Sequence, residues 1–274
     1  MSVLVSADEL LAADRTRTVL LDVRWALGDD QGRERYLDAH LPGAVFVDLE
    51  TELAAAPSPT EGRHPLPSVQ RLQSAARRWG IGAGDGVVAY DATGGLAAAR
   101  AWWLLRWAGL TDVRLLDGGL DAWRRAGGPL ESGDVVPVAG DVTLSGGGMP
   151  VLSIDDAAAL PSHGLLLDAR AGERYRGEVE PVDPRAGHVP GAVSAPTTEN
   201  LAADGTFLPG TVLAERFAAL GAVPGATVGV YCGSGVTAAH EVAALAAVGI
   251  DAALWPGSWS QWSADPSRPA ATGG

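Results

Sequence analysis

The chain has 274 residues, 47% hydrophobic and 19% charged, so it can bury a large core and is neither disordered nor fibrous. Its net charge of −13 argues against a basic face for nucleic acid or an anionic membrane surface. A single cysteine, Cys232, excludes an internal disulfide and a multi-cysteine zinc site.

No apolar run reaches membrane-spanning length, and the N-terminus "MSVLVSADELLAADRTRTVLLDVR" lacks a basic region followed by an apolar one. A cytoplasmic protein is expected.

Along the chain the first marker is "LLDVR", Leu20 to Arg24, followed by "HLPGAV", His40 to Val45. "VVAYDATGGLAAARAWWLLRWAGL" then combines an apolar run with a helical pattern holding Trp102, Trp103 and Trp107, which read as core residues. "LLDGGLDAW" ends the first half. Gly127 to Pro150 is rich in glycine and proline and has no helical period, which predicts a join. Within it "DVTLS" reads as a short strand.

The same markers then return in the same order. "LLDAR" begins at Leu166, "HVPGAV" at His188, "VGVYCGSGVTAAHEVAALAAVGI" at Val228 and "LWPGSWSQW" at Leu254. Asp91 faces Cys232, and Trp123 faces Trp262. This predicts two homologous halves, with domains at 1–130 and 151–274 and a linker at 131–150. Strands alternating with helices imply an α/β fold, each half a mainly parallel sheet flanked by helices.

Cys232 follows the strand "TVGVY" and precedes a helix in which Val236, Ala239, Val242 and Leu245 share a face and Gly249 ends the run. In an open α/β sheet, ligands collect at this end of the strands. The loop "CGSGVT" can curl so that backbone N–H groups meet at one centre, and the helix N-terminus adds partial positive charge. That setting favours a thiolate. A lone cysteine is more often a small buried hydrophobe, but such a residue belongs inside the strand or on the helix's apolar stripe. The context therefore points to a nucleophile. Ala238 stands where a cysteine phosphatase would carry arginine, and His240 is too far along the helix to read as a neighbouring base.

These motifs together resemble the tandem-domain rhodanese family. "HLPGAVFVDLE", "YDATGGLAAARAWWLLRWAG", "LLDGGLDAW", "LLDARAGERYRGEVEP", "GHVPGAV" and "CGSGVTAAH" carry the resemblance over nearly the whole chain. It implies a Cys232 persulfide formed from a small-molecule sulfur donor and discharged to a thiol, thioredoxin or cyanide, with no cofactor. Asp91 cannot carry sulfur, so the first domain would be silent. The loop looks like the 3-mercaptopyruvate sulfurtransferase version, because Gly233 and Ser234 stand where thiosulfate enzymes place basic residues. The alternatives are a thiosulfate:cyanide sulfurtransferase and a non-catalytic binding module.

The resemblance also implies site residues. Ser234 joins Cys232 as catalytic; Gly233, Gly235, Val236 and Thr237 line the substrate loop. Arg174 matches the substrate arginine, against the plainer reading of a surface pair with Glu173 or Glu178. Arg185 is a second candidate. His40, with Asp29 or Asp30, falls where a His–Asp pair would serve Ser234, although His188 repeats the motif and suggests a structural turn. Arg170, repeated as Arg24, reads as a fold residue. Trp255 and Trp259 either wall the cleft or pack.

Overall fold

The computed structural model describes residues 2–274, and the chain forms two compact units. The first comprises residues 2–55, Pro67–Met149 and Ala202–Phe207; the second comprises Ala56–Leu66, Pro150–Leu201 and Leu208–Gly274.

The first unit holds strands β1 (Leu4–Val5), β2 (Thr18–Asp22), β3 (Val45–Phe46), β4 (Gly86–Tyr90) and β5 (Val113–Leu116) in the order β1-β5-β4-β2-β3, all parallel. The central strand β4 is buried at every residue, as a parallel strand covered on both faces must be. The helix Ala98–Trp107 follows it and buries Trp102 and Trp103, while Trp107 is half-buried.

The second unit holds β6 (Leu165–Asp168), β7 (Val193–Ser194), β8 (Val228–Tyr231) and β9 (Ala253–Leu254) in the order β7-β6-β8-β9, again parallel. Val151 adds one parallel bridge to Leu254, in the place that β1 takes beside β5.

The repeat extends to single hydrogen bonds. Arg24 pairs with Asp22 at 2.9 Å and Arg170 with Asp168 at 2.6 Å, both buried. The Tyr90 hydroxyl accepts the Leu41 N–H, and the Tyr231 hydroxyl accepts the Val189 N–H. His40 stacks on Tyr36 at 4.3 Å and His188 on Tyr175 at 3.8 Å.

Two expectations change. Residues 131–149 are not a free linker but pack as part of the first unit, where the Glu131 carbonyl accepts the His40 N–H at 2.9 Å. "DVTLS" forms no strand: the Val142 N–H reaches the Ile81 carbonyl and the Ser145 N–H the Ala108 carbonyl, so these bonds go to loop and helix-end acceptors rather than to a sheet edge. Among the described residues no helix is long and apolar enough to cross a membrane.

Candidate active site

Strand β8 delivers Cys232 to the carboxyl end of the second sheet, 1% exposed, and the helix Thr237–Ala247 leaves from the far side of the loop. The turn after β9 fixes the loop from below. The Trp259 N–H donates to the Cys232 carbonyl at 3.0 Å, and the Ser260 N–H donates to the Gly233 carbonyl at 2.9 Å. The Ser258 hydroxyl accepts the Cys232 N–H at 3.1 Å and donates to the Trp255 carbonyl at 2.9 Å.

Ser258 has φ 52°, the one positive φ among the described non-glycine residues. A left-handed serine costs on the order of 1–2 kcal/mol, and its two hydrogen bonds are what that conformation secures. Gly235 has φ 77°, and a Cβ there would lie 2.5 Å from the Pro256 carbonyl oxygen. Only glycine lets the chain turn here. That turn brings the Gly235 N–H to 3.1 Å from the Cys232 Sγ, so a backbone dipole supports negative charge on sulfur.

The corresponding loop of the first unit shows how well this fold holds an anion. The Asp91 carboxylate accepts the N–H groups of Thr93, Gly95 and Ala97 at 2.8 Å each and of Ala98 at 3.0 Å. There the cradle is filled by the protein's own side chain.

The segment Ala56–Leu66 brings a second group of residues to the cysteine loop. The Arg63 N–H donates to the Ser260 Oγ at 3.1 Å and the Gln261 amide donates to the Thr60 carbonyl at 2.6 Å, which fastens the segment to the turn beneath Cys232. A Cβ at Gly62 would lie 2.5 Å from the Gly257 oxygen, so the two backbones touch. This contact places His64 Nδ1 2.7 Å from the Ser234 Oγ, with both residues buried. It also places Arg63 beside Gly233.

Arg174, on the short helix Gly172–Tyr175, reaches the same spot. It does not pair with Glu173 or Glu178. Its Nη2 donates to Glu180 at 2.6 Å and to Asp183 at 3.2 Å, and Asp183 also pairs with Arg63. Burial pushes the Asp183 carboxyl up, with Arg63 opposing. Burial also acts upward on Glu180, but the Asp183 N–H and Arg174 outweigh it and hold that carboxyl below its ordinary value.

The loop residues Cys232, Gly233, Ser234, Gly235, Val236 and Thr237 thus stand with Arg174, while three expected partners are elsewhere. Arg185 is spent on the end of the helix Ser258–Ala264, donating to the carbonyls of Trp262, Ser263, Asp265 and Arg268. A guanidinium so occupied has no face left for substrate. His40 belongs to the first unit, fully buried, its ring nitrogens 2.9 Å from the Leu41 carbonyl and 3.1 Å from that of Gly133. It is the turn element that its counterpart His188 suggests, and the imidazole at Ser234 is that of His64. Asp29 pairs with Arg35, and Asp30 accepts the Gln31 amide at 2.7 Å, both in the first unit. Trp255 and Trp259 are buried among Tyr231 and Trp262 and pack rather than wall a cleft. His240 is buried 2.7 Å from the Thr197 hydroxyl.

Arg63, His64 and Asp183 escaped sequence reading. "GRHPLP" lies in a proline-rich stretch whose counterpart in the second half, residues 201–209, is shorter and holds neither arginine nor histidine. Its contact with Ser234 spans 170 residues. The one available signal was a histidine beside an arginine outside every repeated motif.

The sequence matches the Rhodanese-like domain family twice, over residues 6–126 and 153–265. It is 52% identical over 259 residues to the "Putative thiosulfate sulfurtransferase SseB" of Mycobacterium tuberculosis H37Rv, covering 93% of this chain and 90% of that protein. It is 47% identical over 282 residues to the "Probable 3-mercaptopyruvate sulfurtransferase" of Pseudomonas aeruginosa, covering 98% of each. The crystal structure of SseA from Escherichia coli, described as a 3-mercaptopyruvate sulfotransferase, superposes with a TM-score of 0.84 at 32% identity over 95% of this chain and 100% of that one. The chain belongs to the rhodanese family, with two rhodanese domains in tandem, and is a sulfurtransferase.

Proposed function

We propose that the protein takes sulfur from 3-mercaptopyruvate onto Cys232 and passes it to a thiol, reduced thioredoxin or cyanide. The observation that carries the choice of donor is the 2.7 Å contact between the Ser234 Oγ and His64 Nδ1 beside the nucleophile. Cleaving the C–S bond of mercaptopyruvate leaves a pyruvate enolate, which needs a proton. Cleaving the S–S bond of thiosulfate leaves sulfite, which needs none. A buried hydroxyl–imidazole pair supplies a proton route.

In the first step the Cys232 thiolate attacks the donor's thiol sulfur. An S–S bond forms, and the C–S electron pair moves into the enolate. The donor's thiol proton passes through Ser234 and His64 to the enolate carbon, which gives pyruvate and the Cys232 persulfide anion. In the second step the acceptor attacks the outer sulfur, and the electron pair of the S–S bond returns to Cys232. Both steps balance without an oxidant, reductant, metal or organic cofactor. A cytoplasmic setting keeps the lone cysteine and its thiol acceptors reduced.

A second donor, thiosulfate, is favoured by the name of the Mycobacterium tuberculosis relative. The steady-state kcat/KM for each donor, with cyanide as acceptor, separates the two. Mercaptopyruvate is expected to be the better donor. Ser234→Ala is expected to slow mercaptopyruvate turnover about 100-fold while leaving thiosulfate turnover nearly unchanged. Thiosulfate preference, or equal slowing with both donors, would overturn the reading.

A further inference from the structure

We propose that Glu241 tunes the reactivity of Cys232, as a buried charge that one proton switches off and that acts along the helix starting at the cysteine loop. The proposal rests on Cys232 as the nucleophile and adds a positioning residue outside the substrate site.

Glu241 is fully buried on the helix Thr237–Ala247, four residues and about 6 Å along the axis from its first residue. Its Oε2 accepts the Asn200 amide at 2.6 Å, and its Oε1 pairs with the Arg216 Nη1 at 3.4 Å. Asn200, also fully buried, ends the short helix Thr197–Asn200, and Arg216 lies on the helix Gly210–Ala219. Arg216 also donates to the Pro196 carbonyl at 3.0 Å and pairs with the exposed Glu199 at 3.4 Å. Beside Glu241 on its own helix, His240 meets the Thr197 hydroxyl that the Asn200 amide also reaches. β8 and β9 pack on the same helix and bring no carboxylate, guanidinium or histidine, and the Tyr231 hydroxyl of β8 is turned to the Val189 N–H.

This network is not part of the duplicated framework. At the equivalent places the first unit has Leu49 for Thr197, Glu52 for Asn200, Ala99 for His240 and Arg100 for Glu241. Arg100 is buried and donates to the Leu53 carbonyl at 3.3 Å. In the half that holds the nucleophile, a buried acid stands where the silent half has a buried base.

The surroundings of Glu241 suit both of its protonation states. When it is charged, Asn200 and Arg216 serve its two oxygens, and the Asn200 Oδ1 is left buried with no hydrogen-bond partner among the described residues. When it is protonated, its O–H has that oxygen as acceptor once the amide turns over. Burial pushes the Glu241 carboxyl up, with Arg216 opposing. A negative charge near the start of a helix opposes a second one at the loop before it. In that loop the Gly235 N–H supports charge on the Cys232 Sγ. A proton on Glu241 leaves Arg216 facing a neutral group, and so favours the thiolate and the persulfide anion.

Cys232 is the sole cysteine, so alkylation of the full chain by iodoacetamide reads it alone. The rate is followed from pH 5 to pH 9 in wild type, Glu241→Gln, Arg216→Gln and Asn200→Leu. Glu241→Gln is expected to react faster than wild type, by about 3- to 10-fold where the gap is widest. The gap should close towards pH 5, where Glu241 of wild type takes its own proton. Arg216→Gln removes the positive charge instead and should show no gain. Asn200→Leu removes the donor that supports the charged form, and should follow Glu241→Gln up to a higher pH than wild type does. A gap that is the same at every pH, a slower Glu241→Gln, or an equal gain in Arg216→Gln would overturn the proposal while leaving Cys232 as the nucleophile. Wild-type Cys232 that is unreactive at every pH would overturn both.

Discussion

Asp22 ends β2 and Asp168 ends β6, and each carboxylate pairs with the arginine two residues on in a buried site. Burial pushes the Asp22 carboxyl up to about 6, against the opposing pull of Arg24. The ordinary value is 3.8. Between these values the folded first unit keeps a proton that the unfolded chain releases. This group's contribution to stability is therefore full below the lower value and lost as pH rises through the upper one, by on the order of 3 kcal/mol. Asp22→Asn has no proton to lose. Urea unfolding of wild type and Asp22→Asn at pH 4 and pH 7 should show the gap shifting towards wild type at the acid end. A gap independent of pH would contradict the assignment. In the first loop the Asp91 carboxylate takes four backbone N–H groups, so the cradle there is already filled by a side chain.

At the scale of elements, the helix Ser258–Ala264 and the segment Ala56–Leu66 build the site. The helix start holds the cysteine loop by its carbonyls, and the segment carries Arg63 and His64 onto it. Arg185 secures the other end of that helix with bonds to four carbonyls. Arg185→Gln should cost about 2–4 kcal/mol in unfolding experiments on the second unit and leave the KM for mercaptopyruvate unchanged. A raised KM at unchanged stability would restore Arg185 to the site. Strand-helix alternation and the cysteine loop were legible in the sequence because both depend on neighbours in the chain. β8 reads as an apolar run, and Gly233 and Gly235 mark the turn after it. Arg185 was offered by the resemblance and His40 was weighed as relay or turn, and the sequence does not reveal which backbone carbonyls a folded chain will give to each. His64 was hidden because nothing local marks a contact made across the length of a domain.

On the scale of the whole molecule, duplication produced two sheets with matching ion pairs, tyrosine hydrogen bonds and stacked histidines, but one nucleophile. The shared features are those that hold the fold, so they persist in both halves. The features that differ, Asp91 against Cys232 and the arginine and histidine of Ala56–Leu66, are those that chemistry requires. On this reading Cys232 alone carries sulfur. The deciding measurement is intact mass after brief exposure to 3-mercaptopyruvate without an acceptor. Wild type should gain a single sulfur atom per chain, matched by release of an equal amount of pyruvate, and Cys232→Ser should gain none. No gain in wild type, or a gain that survives Cys232→Ser, would contradict it.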